Sequence, residues 1–217
     1  MKTSKEQNFE RELPSGYRQA MYINAKNAKF GIIFNLIAVA VFVLVMAFAF
    51  ISLKLSDSLS FEAFETEYFK LAIAYFVLLA GIVGYIVLHE IVHGIAYKAL
   101  TGEKLTFGMS WSCAFCGVPH IFTYRRTAII AVVAPLAVFT LLLIPALVLL
   151  YYSSPLYYLI FAAIFGLHLG GCSGDIYVLY LLIVKFKDKR TLMRDTGPEQ
   201  YFYVPEAECD TDSETAV

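Results

Sequence analysis

The sequence predicts an all-α polytopic membrane protein: about four transmembrane helices, with a short β-hairpin or re-entrant loop between the second and the third. Three observations predict it. Hydrophobic residues make up 59% of the 217-residue chain and charged residues only 16%, which is not the composition of a soluble domain. Four apolar stretches are each long enough to cross a hydrocarbon core of about 30 Å. The basic residues outside those stretches sit almost entirely on one side of them.

Residues 1–29 form a polar, basic leader. Pro14-Ser15-Gly16 marks a turn. Tyr17, Met21 and Tyr22 could then be buried, with Arg18, Lys26 and Lys29 facing headgroups, so a helix at the membrane surface is expected over 17–29; a solvated leader is the alternative. The first span covers 30–53, interrupted only by Asn35 and Ser52, and is too long for a signal-peptide core. Residues 56–70 are an acidic connection in which Phe61, Phe64 and Tyr68 recur at helical spacing, an interfacial helix with a solvated glutamate face.

The second span begins near Leu71 and runs on to about Leu100, with Thr101-Gly102 as its stop. Residues 101–126 are mixed in polarity and rich in β-formers and turn residues, hence the hairpin or re-entrant loop. Non-helical backbone at membrane depth survives only where protein or a watery cavity satisfies it, and a strand edge there could align an extended substrate. The third span covers 127–152 and contains Pro135, a candidate kink. The fourth covers 156–184; its Gly166, Gly170 and Gly174 are spaced by four and form a stripe for close helix packing, here expected against the second helix. Residues 186–217 read as a polar, acidic, mobile tail after a basic collar at Lys185, Lys187, Lys189 and Arg190. The domain reading is a leader over 1–29, a transmembrane domain over 30–185 and the tail over 186–217.

Four spans place both termini on one side. The leader carries six Lys and Arg, the second helix's end with the 101–126 loop four, and the tail five, against Lys54 and Lys70 on the other face. That asymmetry predicts a multi-pass protein with both termini and the 101–126 loop cytoplasmic, in the plasma membrane if the source is bacterial. The bilayer is one expected partner. Nucleic acid is not, since the net charge is -1 and no basic cluster is dense.

The chemistry centres on His89-Glu90-Ile91-Val92-His93-Gly94, inside the second span. Histidines four apart share one helix face and can reach one metal ion, and Glu90 beside the first can activate a zinc-bound water. Ionisable groups at mid-bilayer cost roughly 2.5–3.5 kcal/mol each for Asp, Lys or Arg, so their retention asks for a function. Asp175 is the only carboxylate in the fourth span. His89 lies nine residues before Lys98, about 13.5 Å along a helix, and Asp175 ten residues before Lys185, about 15 Å, so the two fall at nearly equal depth. His89, His93 and Asp175 would supply three zinc ligands and leave a fourth position for water. His168 competes as the third ligand but lies about two turns deeper. Cys113-x-x-Cys116 reads as ordinary reduced cysteines and His120 as a loop residue. With Cys172 and Cys209, the four cysteines are too scattered for a disulfide framework.

On His89-Glu90-Ile91-Val92-His93 and on Ser173-Gly174-Asp175, the chain resembles the site-2 protease type of intramembrane metalloprotease. It is more closely similar to the small DUF3267 group of zincin-like membrane peptidases, over most of residues 13–185. The resemblance implies Zn2+ held by His89, His93 and Asp175, with Glu90 as catalytic base and a membrane protein or peptide as substrate. In the later motif Gly174 precedes the aspartate and Ile176 follows it, whereas site-2 proteases usually have glycine after it. The alternative function is a non-catalytic metal-binding or transport-type membrane protein, for which the same mid-membrane polar groups would serve an ion path.

Overall fold

A computed structural model describes residues 8–58, 68–110 and 113–206. In chain order the elements are β1 (Phe9–Glu10), β2 (Tyr17–Asn24), α1 (Ala28–Leu55), α2 (Tyr68–Thr101), β3 (Thr106–Met109), β4 (Ala114–Gly117), β5 (Phe122–Tyr124), α3 (Arg125–Ser153), α4 (Pro155–Gly171), α5 (Ser173–Tyr180), a π-helical turn (Leu181–Lys185), β6 (Leu192–Asp195) and β7 (Glu199–Pro205). Four helical segments are long and apolar enough to cross a membrane: Ala28–Leu55, Ala72–Thr101, Arg125–Ser153 and Pro155–Lys185. The protein is thus mostly helical and polytopic, as its composition predicts.

Each span ends where local chemistry requires. Asn27 caps α1, its side chain accepting from the Lys29 N–H. Gly102, at φ 71°, ends α2 in the left-handed conformation that glycine tolerates, and its N–H reaches the Lys98 carbonyl. Pro155 opens α4 at a position where its missing N–H costs nothing. Large apolar side chains such as Leu44 and Phe48 remain exposed along α1, as a lipid-facing helix requires.

The expected hairpin between the second and third spans is present: β3 and β4 pair antiparallel, with Phe107 opposite Cys116. The chain ends differ from the sequence reading. Residues 17–24 are not a surface helix but strand β2, and 192–205 are not a mobile tail but strands β6 and β7. They join β1 and β5 in one antiparallel sheet of order β1-β5-β6-β7-β2. The reason is alternation. Ile23, Met193 and Phe202 point to one face and bury themselves against Ala128, Val132, Val178, Leu182 and Phe186 at the ends of α3, α5 and the π-helical turn. The expected interfacial helix over 56–70 falls largely on 59–67, which lies outside the described residues, as does Cys209.

The fourth span breaks once, at Cys172, between α4 and α5. Its glycine stripe packs on α1 rather than on the second helix. A Cβ on Gly170 would stand 2.7 Å from the Ala38 carbonyl oxygen, and one on Gly166 3.3 Å from the Phe42 Cα. Gly174 meets nothing within 4 Å. With the stripe turned toward α1, the other side of this segment carries Asp175 to α2.

Candidate metal centre

Tyr85, His89, His93 and Tyr97 are each four residues apart on α2, so they form one row along one helix face. His89 and His93 are buried, at 7% and 8% exposure. Asp175, in the first turn of α5, stands between their Nε2 atoms: Oδ2 lies 3.1 Å from His89 and Oδ1 3.4 Å from His93. The sequence-predicted trio is therefore brought together, with one ligand atom from each residue inside a 4.8 Å sphere of mutual distances.

These residues fit a zinc ion by two criteria. Four tetrahedral ligands at about 2.1 Å from a metal stand about 3.4 Å apart, close to the spacings seen. The far edges of both rings are also engaged, as metal-binding imidazoles require. His93 Nδ1 lies 2.8 Å from the Ala131 carbonyl oxygen. A carbonyl can only accept, so Nδ1 carries a proton, and Nε2, the nitrogen that faces Asp175, is the one left to bind a metal. That carbonyl is available for a local reason. In a helix it would accept from the N–H four residues on, but residue 135 is proline and has none. Pro135, read from sequence only as a candidate kink, thus frees the acceptor that orients His93. On His89, Nδ1 lies 2.9 Å from the Tyr85 hydroxyl.

His168 is fully buried on α4 but is not placed with Asp175. It faces the opposite edge of the His89 ring, through Tyr85, in a second potential donor group with His89 and Cys172. The two residues weighed from sequence as third ligand therefore fall on opposite sides of His89.

Glu90 is half-buried and turns toward the hairpin, with the Cys116 backbone N–H beside its carboxylate. Cys113 and Cys116 form no disulfide. Burial, with the carboxylates of Asp195 and Glu90 nearby, pushes the Cys116 thiol up to about 12, so it stays protonated. His120 is exposed in the turn before β5 and joins no potential metal group among the described residues.

Sequence reasoning missed Tyr97 and Asp195. The Tyr97 hydroxyl donates to Asp195 Oδ2 at 2.7 Å, and the Gly197 N–H donates to Oδ1 at 2.8 Å. Burial raises the Asp195 carboxyl to about 6 against the lowering effect of those two donors. The Asp195 backbone carbonyl accepts from the Val118 N–H, just past β4, and Gly117 packs directly on the Thr196–Gly197 backbone. One residue in β6 thereby ties the metal-site helix to the hairpin. Together α1, α2, the hairpin, α5 and the β6–β7 turn enclose a cavity of about 410 Å³ whose wall includes His89, Glu90, His93, Asp175 and Asp195.

No curated protein and no solved structure matches the chain. Residues 82–189, which hold the histidine pair, the hairpin, Pro135 and Asp175, match the family model of DUF3267, described as "Putative zincin peptidase". Across that stretch, about half of its length, the chain belongs to the DUF3267 family.

Proposed function

We propose that the protein is an integral membrane zinc metalloprotease that hydrolyses peptide bonds of membrane or membrane-proximal proteins. The observation that carries this reading is the trio of His89 Nε2, His93 Nε2 and Asp175 Oδ at ligand spacing, with Nδ1 of each ring already engaged. Zinc held there would polarise a scissile carbonyl and acidify a water molecule. Glu90, adjacent in sequence and facing the same cavity, accepts the water's proton as base and returns it to the leaving amine. Its carboxylate lies beside the Cys116 N–H, and both residues line the cavity.

Strand β4 supports an extended substrate. It pairs with β3 on one side and with no other strand among the described residues, and Ala114 and Cys116 line the cavity. A substrate segment unwound beside it can add as a further strand and present its backbone to Glu90. The leader, the 101–126 loop and the tail contribute to one sheet at one end of the bundle, which suits the cytoplasmic assignment of all three by their basic residues.

The test is metal content and cleavage of a membrane-embedded reporter by the purified protein and its variants. We expect about one zinc per chain, lost in His93→Ala and in Asp175→Ala. Glu90→Gln should retain zinc and abolish cleavage. Cleavage surviving in Glu90→Gln removes Glu90 as base, and zinc surviving Asp175→Ala removes the cross-helix site. Zinc bound without cleavage of any membrane reporter favours the non-catalytic reading.

A further inference from the structure

Strand β4 can guide a substrate only if it stands at a fixed place beside the histidine helix, and its own hairpin does not fix it. A two-stranded sheet is marginal by itself. The hairpin meets α2 at Gly94, next to His93, where a Cβ would stand 2.7 Å from Phe107 Cζ and 3.1 Å from Leu105 Cδ1. Those atoms are the ends of side chains, and apolar contact of that kind has no direction, so it allows sliding.

Direction comes from the β6–β7 turn. The Asp195 backbone carbonyl accepts the Val118 N–H at 2.8 Å, just past β4. Gly117 then lies backbone to backbone on the turn: a Cβ there would stand 2.6 Å from the Thr196 carbonyl carbon. The Phe115 ring of β4 lies against Gly197, which sits at φ 97°. The Asp195 side chain both shapes this turn and anchors it. Oδ1 accepts the Gly197 N–H at 2.8 Å, an aspartate bonding its own backbone two residues on. Oδ2 accepts the Tyr97 O–H at 2.7 Å, one helical turn past His93. Three acceptor atoms of one buried residue are thus taken by three elements: the end of β4, the turn and the metal-site helix. The Tyr97–Asp195 bond carries a directional contact from the histidine helix to the substrate edge.

We propose that Asp195 is a positioning residue for peptide-bond hydrolysis: through Tyr97 it holds β4 in register with His89 and His93, and so selects which bond of an extended substrate is cut. The proposal rests on the protease reading with β4 as the substrate edge, and deepens it. Successive residues of a strand are about 3.3 Å apart. A substrate paired with β4 moves with it, so a shift of β4 by a fraction of that spacing takes the scissile carbonyl away from the histidine row. A displacement near 1 Å can cost about 100-fold in rate, and a slip by one residue brings a neighbouring bond into place.

Cleavage of the membrane-embedded reporter by the zinc-loaded full chain reads the register, with kcat and KM from the rate and the cut bond from mass spectrometry of the products. A second measurement needs no cleavage. Cys116 is buried in β4 and lines the cavity with Glu90, so a thiol reagent reaches it when β4 leaves α2; its labelling is followed with the other cysteines replaced by serine. Tyr97→Phe removes only the donor hydroxyl. It should retain zinc, lower kcat about 10–100-fold with KM changed less, cut at bonds flanking the parent's, and label at Cys116 several times faster than the parent. Asp195→Asn keeps an acceptor for Tyr97, so it should cut at the parent's bond; a shifted cut there overturns the role of the Tyr97 contact. A Tyr97→Phe protein that cuts only at the parent's bond overturns the proposal whatever its stability, because the contact is then structural alone. A parent that cleaves no reporter removes the protease reading. Faster Cys116 labelling in Tyr97→Phe then still shows that the contact holds β4, and an unchanged rate overturns that as well.

Discussion

Pro135→Ala should make the protein more stable and a poorer metal binder. Proline inside a helix costs about 3 kcal/mol, through the lost N–H and the clash with the carbonyl four residues back. Pro135 is buried, and replacing its ring removes two methylenes at about 0.8 kcal/mol each. The balance favours alanine by roughly 1 kcal/mol. The new N–H at 135 would compete for the Ala131 carbonyl, which now accepts His93 Nδ1–H at 2.8 Å. Loss of such an outer contact weakens a metal site by about 10–100-fold, or roughly 1.4–2.8 kcal/mol. Stability and affinity should therefore move in opposite directions. Thermal unfolding of the metal-free protein in detergent reads the first, and zinc competition the second. A stabilised variant that binds zinc as tightly as the parent would refute the link between Pro135 and His93. A destabilised variant would mean that the proline ring packs better than its two methylenes suggest.

Three further outcomes follow from other contacts. Gly170→Ala should destabilise by about 1–3 kcal/mol, because its Cβ would meet the Ala38 backbone, which cannot move aside as a side chain can. Gly174→Ala is the control: nothing lies within 4 Å, so its melting temperature should hold or rise. Asp195→Asn should change the pH dependence of stability. The folded pKa of about 6 lies above the ordinary 3.8, so this group's contribution is full below pH 3.8 and is lost as pH rises through 6, by about 3 kcal/mol in all. Asparagine keeps an acceptor for Tyr97 and does not ionise, so the variant's melting temperature should fall less than the parent's between pH 4.5 and pH 7; parallel curves would show that Asp195 is not the titrating group. Finally, single cysteines at Ser15 and Ser58 should react with an impermeant thiol reagent from opposite sides of a sealed vesicle, and labelling from the same side would overturn the four-span topology.

The helices were legible because an apolar run of some twenty residues in a bilayer has one outcome: its backbone must bond to itself. The 106–117 hairpin was legible for a related reason, since β-formers flanked by turn residues cannot continue a helix. The sheet was not. Strand β2 pairs with β7 across most of the chain length, with Met21 opposite Phe202, and no local pattern names a partner so distant. Leu192-Met193 and Tyr201-Phe202-Tyr203-Val204 are short apolar runs in polar surroundings, and they look like a tail until the strands of the leader are brought beside them. In the site, histidine spacing and matched depth were enough to join Asp175 to His89. The outer contacts split two ways. Tyr85 and Tyr97 extend the histidine row by one turn at each end and could have been read from that spacing. Asp195 carries no such signal, because its partner is set by a strand pairing that the sequence hides.

That row also explains why the fold and the site are hard to separate. Inside a bilayer, apolar side chains gain little by leaving lipid for one another, so apolar packing alone fixes helix register weakly. Polar groups do fix it, because each must find a partner. Along α2, Tyr85 takes the His168 imidazole of α4, His89 and His93 take the Asp175 carboxylate of α5, His93 also takes the α3 carbonyl that Pro135 leaves unpaired, and Tyr97 takes Asp195 of β6. Four turns of one helix thus engage four other segments, each through a directional contact. The contacts that hold the bundle in register are the contacts that aim the ligand atoms. A substitution at the histidine row should therefore loosen the bundle as well as the site, while one at Glu90, which lies outside that row of contacts, should spare the fold and remove the chemistry.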